Sequence, residues 1–488
     1  MKHRIVLFAA MTICAAGMTM AQDAAPAPSL KLKDNLSAAV SASETTLADQ
    51  TDVAVTVYNN DRALVRDRRN IKLTPGELSL RFMDVAAAIL PETVSLVSLK
   101  DPGNLHILEQ NYEFDLMSPE KLMEKYVGRE VTLVNKSNDL NFFEQKAKLL
   151  SVNNGPIYEV EGKIYLGHPG QVVLPALPQE LIAKPTLVWL LDNNGTDHEV
   201  EATYLTSGLS WKADYVISMN REETAMNLEG WVTLNNQSGA TYQNAQLKLV
   251  AGDVNVVQAE AMKDGAMGKG MRMLAAAPAM MVEESFAEYH LYTLPRRTTI
   301  KQNQSKQVSL LSGTGVAVKK IYEFRGDVAY YASKFDPIKN QNVDVFLTFE
   351  NKEKNQLGIP LPAGVMRVYQ QDSSGMYQFS GEDRIAHTAK DEDVRLRLGK
   401  AFDVVAERIQ TDYRGLGPSS HEAEFRIPVR NHKDTAVTVD VVEPMPATWN
   451  ILEKSHDFVK KDAHTAVFSL PIPAGETVEL KYRVRVQW

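Results

Sequence analysis

Residues 478–488 read VELKYRVRVQW, a stretch in which apolar and polar side chains alternate without a break. Successive side chains of a β-strand point to opposite faces, so this alternation predicts a strand with one face on a core and the other in water. We therefore expect Tyr482, Val484 and Val486 to pack into the core of the last domain. Such a strand needs partner strands, and the same period appears elsewhere in the chain.

Alternation of period two recurs in 53–57 (VAVTV), 343–347 (VDVFL) and 437–441 (VTVDV). Between residues 71 and 82, Pro75-Gly76 separates two such runs, and this pair is typical of a tight turn in which glycine takes a positive φ. We estimate about half of the residues in strands, against a base rate near a quarter. The predicted fold class is mainly β: several β-sandwich (Ig-like) modules, a small inserted β-barrel and very little helix.

One helix stands out among the strands. Ser118 can cap it, Pro119 suits its first position, and Glu120 favours the positive end of the helix dipole. Five short strand patterns with tight turns follow it, at 130–135, 147–152, 157–161, 163–166 and 171–174. Five short strands of this kind suggest a small barrel of about 65 residues.

Length and composition limit the class of protein. The chain has 488 residues, 44% of them hydrophobic and 23% charged, close to a globular average. At roughly 150 residues per domain this is about three domains. The net charge is -8, so a general nucleic-acid-binding surface is not expected.

The N-terminus has the features of a secretory signal peptide. A basic start at Lys2 and Arg4 precedes an apolar run over residues 5–16, and Thr19-Met20-Ala21 places small residues before the expected cut between Ala21 and Gln22. We expect export to the periplasm of a Gram-negative bacterium, with no transmembrane segment in the mature chain. Cys14 is the only cysteine, so the mature chain would have neither a disulfide nor a thiolate metal site.

These patterns predict seven segments along the chain. They are a signal peptide (1–21), a flexible linker (22–50), an N-terminal β domain (51–114), a helix plus small β-barrel (115–184), a β-sandwich (185–258), a mobile loop rich in Met and Ala (259–287) and a C-terminal β-sandwich region (288–488).

The second half of the chain carries a set of blocks that together resemble a known family. The blocks are GLSWKADY (208–215), WVTLNN (231–236), NAQLKLVAGDV (244–254), YTLP (292–295), LGIPLPAG (357–364) and FSGED (379–383). They resemble the domain of unknown function (DUF) 4139 family, from about residue 200 to the C-terminus, with a weaker match near 53–99. The family also contains proteins named mucoidy inhibitor A. The resemblance implies a β-sandwich architecture and no established chemistry.

Candidate chemistry is sparse. The sequence contains no Gly-x-Ser-x-Gly elbow, no His-Glu-x-x-His and no Walker A loop. The densest polar group is Glu382, Asp383 and His387 within residues 381–387, which with Glu407 and Arg408 can form an acid/base or ion site. The alternative, which we favour, is a turn with a structural charge network.

Two further sets of side chains are candidate metal ligands. His421 and His432 can meet across a hairpin as metal ligands, although surface histidines explain them more simply. Six methionines fall within 259–287: Met262, Met267, Met271, Met273, Met280 and Met281. Thioethers suit Cu(I). A flexible segment that tolerates Met is the simpler interpretation, since Lys263, Lys269 and Arg272 repel a cation.

The sequence therefore favours an exported, non-enzymatic protein that acts by binding in the cell envelope. The expected partner is an envelope protein or a glycan, and no catalytic, cofactor-binding or metal-binding residue is assigned. Two alternatives stay open. One is a carbohydrate-active enzyme whose paired carboxylates face each other about 5–10 Å apart in a cleft. The other is a Cu(I)-binding protein that uses the Met-rich segment.

The signal peptide gives a first prediction. Mass spectrometry of the protein isolated from its natural host should show a mature N-terminus at Gln22, because the small residues before it form a cleavage site. An intact Met1 on protein recovered from the envelope would contradict this expectation.

Overall fold

A computed structural model describes residues 41–113, 118–138, 141–168, 170–176, 184–252, 254–255, 280–446 and 448–488. The predicted signal peptide and residues 259–279 of the Met-rich segment lie outside these ranges. The described residues are mainly β, with 65% strand and 6% helix, which confirms the predicted fold class.

The described residues form 31 strands and one α-helix. The strands before residue 200 are β1 (Ser41–Thr45), β2 (Gln50–Tyr58), β3 (Arg62–Lys72), β4 (Gly76–Met83), β5 (Ser95–Ser98), β6 (Leu105–Glu113), β7 (Glu130–Asn138), β8 (Asn141–Ser151), β9 (Ile157–Val160), β10 (Lys163–Leu166), β11 (Gln171–Val173), β12 (Thr186–Asn193) and β13 (Asp197–Thr206). The helix is α1 (Pro119–Lys125).

The remaining strands are β14 (Leu209–Met219), β15 (Ala225–Asn236), β16 (Tyr242–Ala251), β17 (Val282–Phe286), β18 (Tyr289–Thr293), β19 (Thr298–Ile300), β20 (Gln304–Ala317), β21 (Lys319–Arg325), β22 (Ile338–Glu350), β23 (Gly364–Gln371), β24 (Tyr377–Ile385), β25 (Asp393–Gly415), β26 (Ser420–Asn431), β27 (Val437–Pro444), β28 (Thr448–Lys454), β29 (Val459–Asp462), β30 (Thr465–Ile472) and β31 (Thr477–Gln487). Short 3-10 helices occur at Leu47–Asp49, Pro91–Thr93, Pro102–Asn104, Val328–Tyr331 and Glu353–Asn355.

Three sheets enclose the first and largest hydrophobic core. Their strand orders are β1-β4-β12-β6, β17-β18-β16-β2-β3-β13-β5 (with β19 paired to β16) and β20-β15-β14-β23-β24. Alternate residues of each sheet enter this core, for example Val55, Leu80 and Ile217, all fully buried. Packing inner faces against one another removes apolar surface from water, which is why the period of two in the sequence corresponds to sandwich layers.

Strands distant in sequence share these sheets. β2 pairs in parallel with β16, and β14 pairs in parallel with β23. The predicted N-terminal β domain (51–114) and the predicted sandwich (185–258) therefore contribute strands to the same sheet rather than forming separate modules. A parallel pair needs a long connection between its strands, and the intervening hairpins supply it here.

The predicted flexible linker, 22–50, ends earlier than expected. Residues 41–45 form β1, which pairs in parallel with β4, and a 3-10 helix follows. The fully buried Arg69 donates hydrogen bonds to the carbonyl oxygens of Thr45 (3.1 Å) and Met83 (2.9 Å) and ion-pairs with Asp67 at 2.8 Å. A buried guanidinium needs partners of this kind, so Arg69 fixes the segment that composition alone assigned to a linker.

Helix α1 begins as predicted, because the Ser118 hydroxyl accepts a hydrogen bond from the backbone N of Lys121 at 3.2 Å. The five strands after it form an open sheet of order β10-β9-β8-β7-β11, which corrects the predicted barrel. In the described pairings, β10 joins only β9 and β11 joins only β7, so the edges do not close. The helix end covers the sheet instead: Tyr126 is buried in this small core and Met123 packs against it. Because the helix end covers this sheet, its apolar face is buried without closure into a barrel.

The C-terminal region is one nine-stranded sheet of order β28-β31-β26-β25-β22-β21-β27-β30-β29. The sheet encloses a second core of its own. Tyr482, Val484 and Val486 are all buried in that core, which confirms the expectation drawn from the last strand. β26 contains Pro428, which has no N–H to donate to a neighbouring strand. The described pairs between β26 and β25 accordingly skip the residues between Arg426 and Val429.

A buried polar group joins the strands of this sheet across its core. The Arg408 guanidinium on β25 donates to both Glu443 carboxylate oxygens on β27, at 2.6 and 3.0 Å, and both side chains are fully buried. The Tyr331 hydroxyl donates to Glu443 at 2.8 Å and lies 3.0 Å from the hydroxyl of Tyr482 on β31. A buried ion pair is stable only when each charged group has hydrogen-bond partners, as it does here. The group therefore holds β25, β27 and β31 together across the core.

The described part of the Met-rich segment includes a strand. Residues 282–286 form β17, which pairs with β18, and Met281 is buried in the first core. Met280 is half exposed. No helix among the described residues is both long and apolar enough to cross a lipid bilayer.

Candidate binding site at the junction of two sheets

Strand β25 connects the two large cores. Its first half, with Val394 and Leu396, belongs to the first core, whereas Val404 and Ala406 belong to the second. β22 divides in the same way, because Phe349 packs in the first core and Val343 in the second. The junction between the cores therefore lies along the middle of these two paired strands.

The middle of β24 lies directly against the first half of β25. A Cβ added at Gly381 would lie 2.6 Å from the carbonyl oxygen of Leu398, and the φ of Gly381 is +151°. The Asp383 carboxylate accepts a hydrogen bond from the backbone N of Arg397 at 2.7 Å. Only glycine fits this conformation and this approach, so Gly381 sets how closely the two sheets meet.

A bulge in β25 follows this contact. Between the pairs Asp344–Lys400 and Asn342–Val405, β22 advances by two residues and β25 by five. The extra residues include Phe402, whose side chain is 89% exposed although it lies on a strand with neighbours on both sides. Bulges often re-aim a side chain next to a functional site, and here the bulge turns an aromatic ring out of the core.

A cleft of about 220 Å³ opens beside the bulge. We call it the lysine cleft, after Lys320 on β21, Lys400 on β25 and Lys433 in the turn after β26. Gln370 and Ser380 line it from the first core's sheet, and Phe402 and Asp403 line it from β25. Side chains from both sheets therefore meet in one concave place.

Two of the lysines are held in position around Tyr322. The Lys433 ammonium donates to the Tyr322 hydroxyl at 3.0 Å, and the Lys320 ammonium lies 5.6 Å from the centre of the same ring. Glu223 accepts from Lys320 at 2.7 and 2.9 Å and from the Gln370 amide at 2.8 Å. Glu223 thereby fixes Lys320 and Gln370 at one end of the cleft.

These contacts stabilise the charged forms of Lys433 and Glu223. Burial alone lowers the pKa of Lys433, but the hydrogen bond to Tyr322 and the nearby Glu223 and Asp403 carboxylates raise it, and the net shift is upward. Burial raises the pKa of Glu223, but the hydrogen bond and the charge of Lys320 outweigh this effect, so the net shift of the pKa is downward. Both groups are therefore ionised at neutral pH.

Exposed aromatic side chains also lie on β24, the strand that carries Ser380. Tyr377 and Phe379 on β24 are 50% and 57% exposed, and the rings of Phe379 and Tyr369 meet edge to face at 5.7 Å. β24 is the last strand of its sheet, and Gly381 and Asp383 on it contact β25. Such rings are typical of binding surfaces rather than of a finished hydrophobic core.

A second cavity, of about 400 Å³, lies between β25 and residues 334–336. Its polar side chains already bond within the protein: Gln410 donates to the carbonyl oxygen of Ser333, and Tyr413 donates to that of Ala332. Asp412 accepts from Arg483 at 2.9 Å. We therefore place the candidate site at the lysine cleft.

The polar residues that the sequence singled out do not form one site. Glu382 ion-pairs with Arg367 at 3.1 Å on the face that also holds Asp214. Asp383 bonds to backbone N–H groups, and the His387 Nδ1 accepts from the backbone N of Ala363 at 3.2 Å. Each of the three has a separate structural partner.

The other sequence candidates are also dispersed. Glu407 accepts from Arg430 at 2.9 Å, whereas its neighbour Arg408 points into the second core towards Glu443. His421 is the second residue of the twelve-residue strand β26 and His432 directly follows its last residue, so the two do not face each other across a hairpin. At about 3.3 Å per residue they are roughly 36 Å apart, so the idea of a shared ligand site is wrong. Within the described ranges, no group of three or more His, Cys, Asp or Glu side chains can hold a metal ion.

Sequence reasoning did not identify Lys400, Phe402 or Lys433. One signal was present: apolar residues occupy even positions from Val394 to Leu398, and the charged Lys400 interrupts this alternation. That interruption marks the bulge, although it does not say which side chain the bulge exposes.

The fold and the junction define a class of protein: multi-sheet β proteins with a candidate binding cleft between sheets. Residues 200–488, more than half of the chain, match the model of a family described as a domain of unknown function, DUF4139. The chain therefore belongs to the DUF4139 family. No curated protein matches the chain.

The contact at Gly381 gives a prediction about the junction. Gly381→Ala should lower the free energy of unfolding by about 1–3 kcal/mol, because the new methyl group would overlap the Leu398 carbonyl and the residue would be held at an unfavourable φ. Chemical denaturation of both proteins measures the difference. Gly417→Ala is the matched control, since a Cβ there meets nothing within 4 Å. Equal midpoints for the Gly381→Ala variant and the wild type would mean that the close approach does not exist.

Proposed function

We propose that this protein is an exported protein of the cell envelope that acts by binding a partner protein at the junction of β24 and β25. The observation that carries the proposal is Phe402, a ring 89% exposed on a bulge of an interior strand. Burying such a side chain is worth about 1.5–3 kcal/mol, so a surface that presents it gains by being covered. Exposed aromatic anchors of this kind are typical centres of protein interfaces.

The surroundings of Phe402 suit an interface. Tyr377 and Phe379 are exposed aromatic side chains on the neighbouring strand β24, and Lys400 lies two residues before Phe402. Interfaces commonly combine an aromatic centre with a polar border. The partner therefore meets side chains from two sheets, whose relative placement is set at Gly381.

Export is the part of the proposal that rests on sequence alone. The basic start, the apolar run and Thr19-Met20-Ala21 lead us to place the protein in the periplasm of a Gram-negative bacterium. The relation to mucoidy inhibitor A proteins, expected from the same blocks as the family, remains a prediction and contributes nothing to the proposal. The two alternatives, a carbohydrate-active enzyme and a Cu(I)-binding protein, gain no specific observation from the described residues.

The test is capture of envelope proteins by the full chain, tagged and expressed in its natural host. Phe402→Ser should remove at least one captured protein, because it deletes the ring on which the interface depends. Val459→Ser is the matched control, since Val459 is a 68% exposed apolar residue on a different strand. Capture should be retained by this control.

Three results would contradict the proposal. The first is capture that Phe402→Ser leaves unchanged. The second is equal loss in both variants, which would show a general effect of surface polarity. The third is the absence of any protein enriched over the tag alone.

A further inference from the structure

We infer that the lysine cleft binds the carboxylate or phosphate group of a small anionic ligand. This goes beyond the proposed partner binding, because it concerns the polar surface that the lysines line rather than the exposed ring of Phe402. The inference depends on Lys400, Lys433 and their surroundings and does not require that a partner cover Phe402.

The local charge is the first argument. The chain as a whole carries a net charge of -8. Among the residues that line the cleft, three are lysines and one, Asp403, is acidic. Glu223, which is not among the lining residues, pairs with Lys320. This leaves two positive charges, on Lys400 and Lys433, against one negative charge, on Asp403. A positive concavity in an acidic protein attracts anions selectively.

The arrangement of the ammonium groups is the second argument. Lys433 is oriented by its hydrogen bond to Tyr322, which uses one of its three donors. Lys400 is exposed and has no ion-pair or hydrogen-bond partner among the described residues. Both lysines line the same cleft, and an oxyanion bound there can accept charge-assisted hydrogen bonds from their ammonium groups.

The size of the cleft limits the ligand. Its volume of about 220 Å³ is below the ~300–1,000 Å³ that drug-sized ligands occupy. A ligand with one charged group and a compact polar body therefore fits better than a long chain. The Ser380 hydroxyl and the Phe402 ring lie on its border, where a polar group and an apolar face of such a body can each find a contact.

Isothermal titration of the full chain tests this inference. Three probes share one carbon frame and differ in charge: glucuronate carries a carboxylate, glucose 6-phosphate carries a phosphate, and glucose carries neither. We expect one or both anions to bind and glucose not to bind, with affinity that falls as salt is added. The comparison between the two anions separates a carboxylate from a phosphate as the preferred group.

Lys400→Gln is the decisive variant, because Lys400 is exposed and unpaired and its loss should not affect folding. A lost charge-assisted hydrogen bond is worth about 1.5–3 kcal/mol, so affinity should fall roughly tenfold or more. Lys433→Gln should act in the same direction. Lys163→Gln, at an exposed lysine on β10, is the matched control and should bind as the wild type does.

Equal binding of glucose and the anions would overturn the inference. So would the lack of binding by either anion at millimolar concentration, or an unchanged affinity in Lys400→Gln. These outcomes leave the partner-binding proposal intact, since that proposal is tested by protein capture and not by anion binding. Conversely, the absence of partner capture together with normal anion binding would contradict the partner-binding proposal and leave this inference intact.

Discussion

The passage of β25 from one hydrophobic core into the other is the constraint on which the rest of the structure depends. The strand runs over 23 residues, Asp393–Gly415, and buries Leu396 in the first core and Val404 in the second. Because one strand contributes side chains to both cores, it holds the two cores next to each other. The close approach of Gly381 to Leu398 and the bond from Arg397 to Asp383 hold the edge of the first sheet against it.

The same constraint explains why the candidate site lies where it does. A strand that serves two cores must change direction between them, and β25 does so through a bulge at residues 401–404. A bulge leaves side chains without a core to enter, and Phe402 becomes exposed for this reason. The turn that carries Lys433 and the strand that carries Lys320 belong to the second sheet, so their charges meet the bulge at the junction.

The sequence predicted what depends on local pattern. Alternation placed Tyr482, Val484 and Val486 in a core, and Ser118 and Pro119 marked the start of the one described α-helix. It wrongly predicted closure into a barrel from five short strands, whereas the sheet is open and the end of α1 supplies the second layer through Tyr126. It also missed β1, because the fixed position of Thr45 depends on Arg69, a residue 24 positions away.

The candidate site was the least predictable part for a physical reason. Phe402 lies at an even position, in phase with the buried Leu396 and Val404, so alternation places it in a core. Only the tertiary pairing with β22 reveals the extra residues that turn it outwards. Conversely, Glu382, Asp383 and His387 are close in sequence, yet each bonds to a different part of the fold.

The proposed partner covers the junction of β24 and β25. Hydrogen–deuterium exchange of the full chain, measured with and without an envelope extract, tests this most directly, because exchange slows where a partner covers the backbone. The account predicts slower exchange in peptides that cover residues 377–385 and 399–403, with little change in β29. Protection confined to other strands, or none at these two segments, would contradict it.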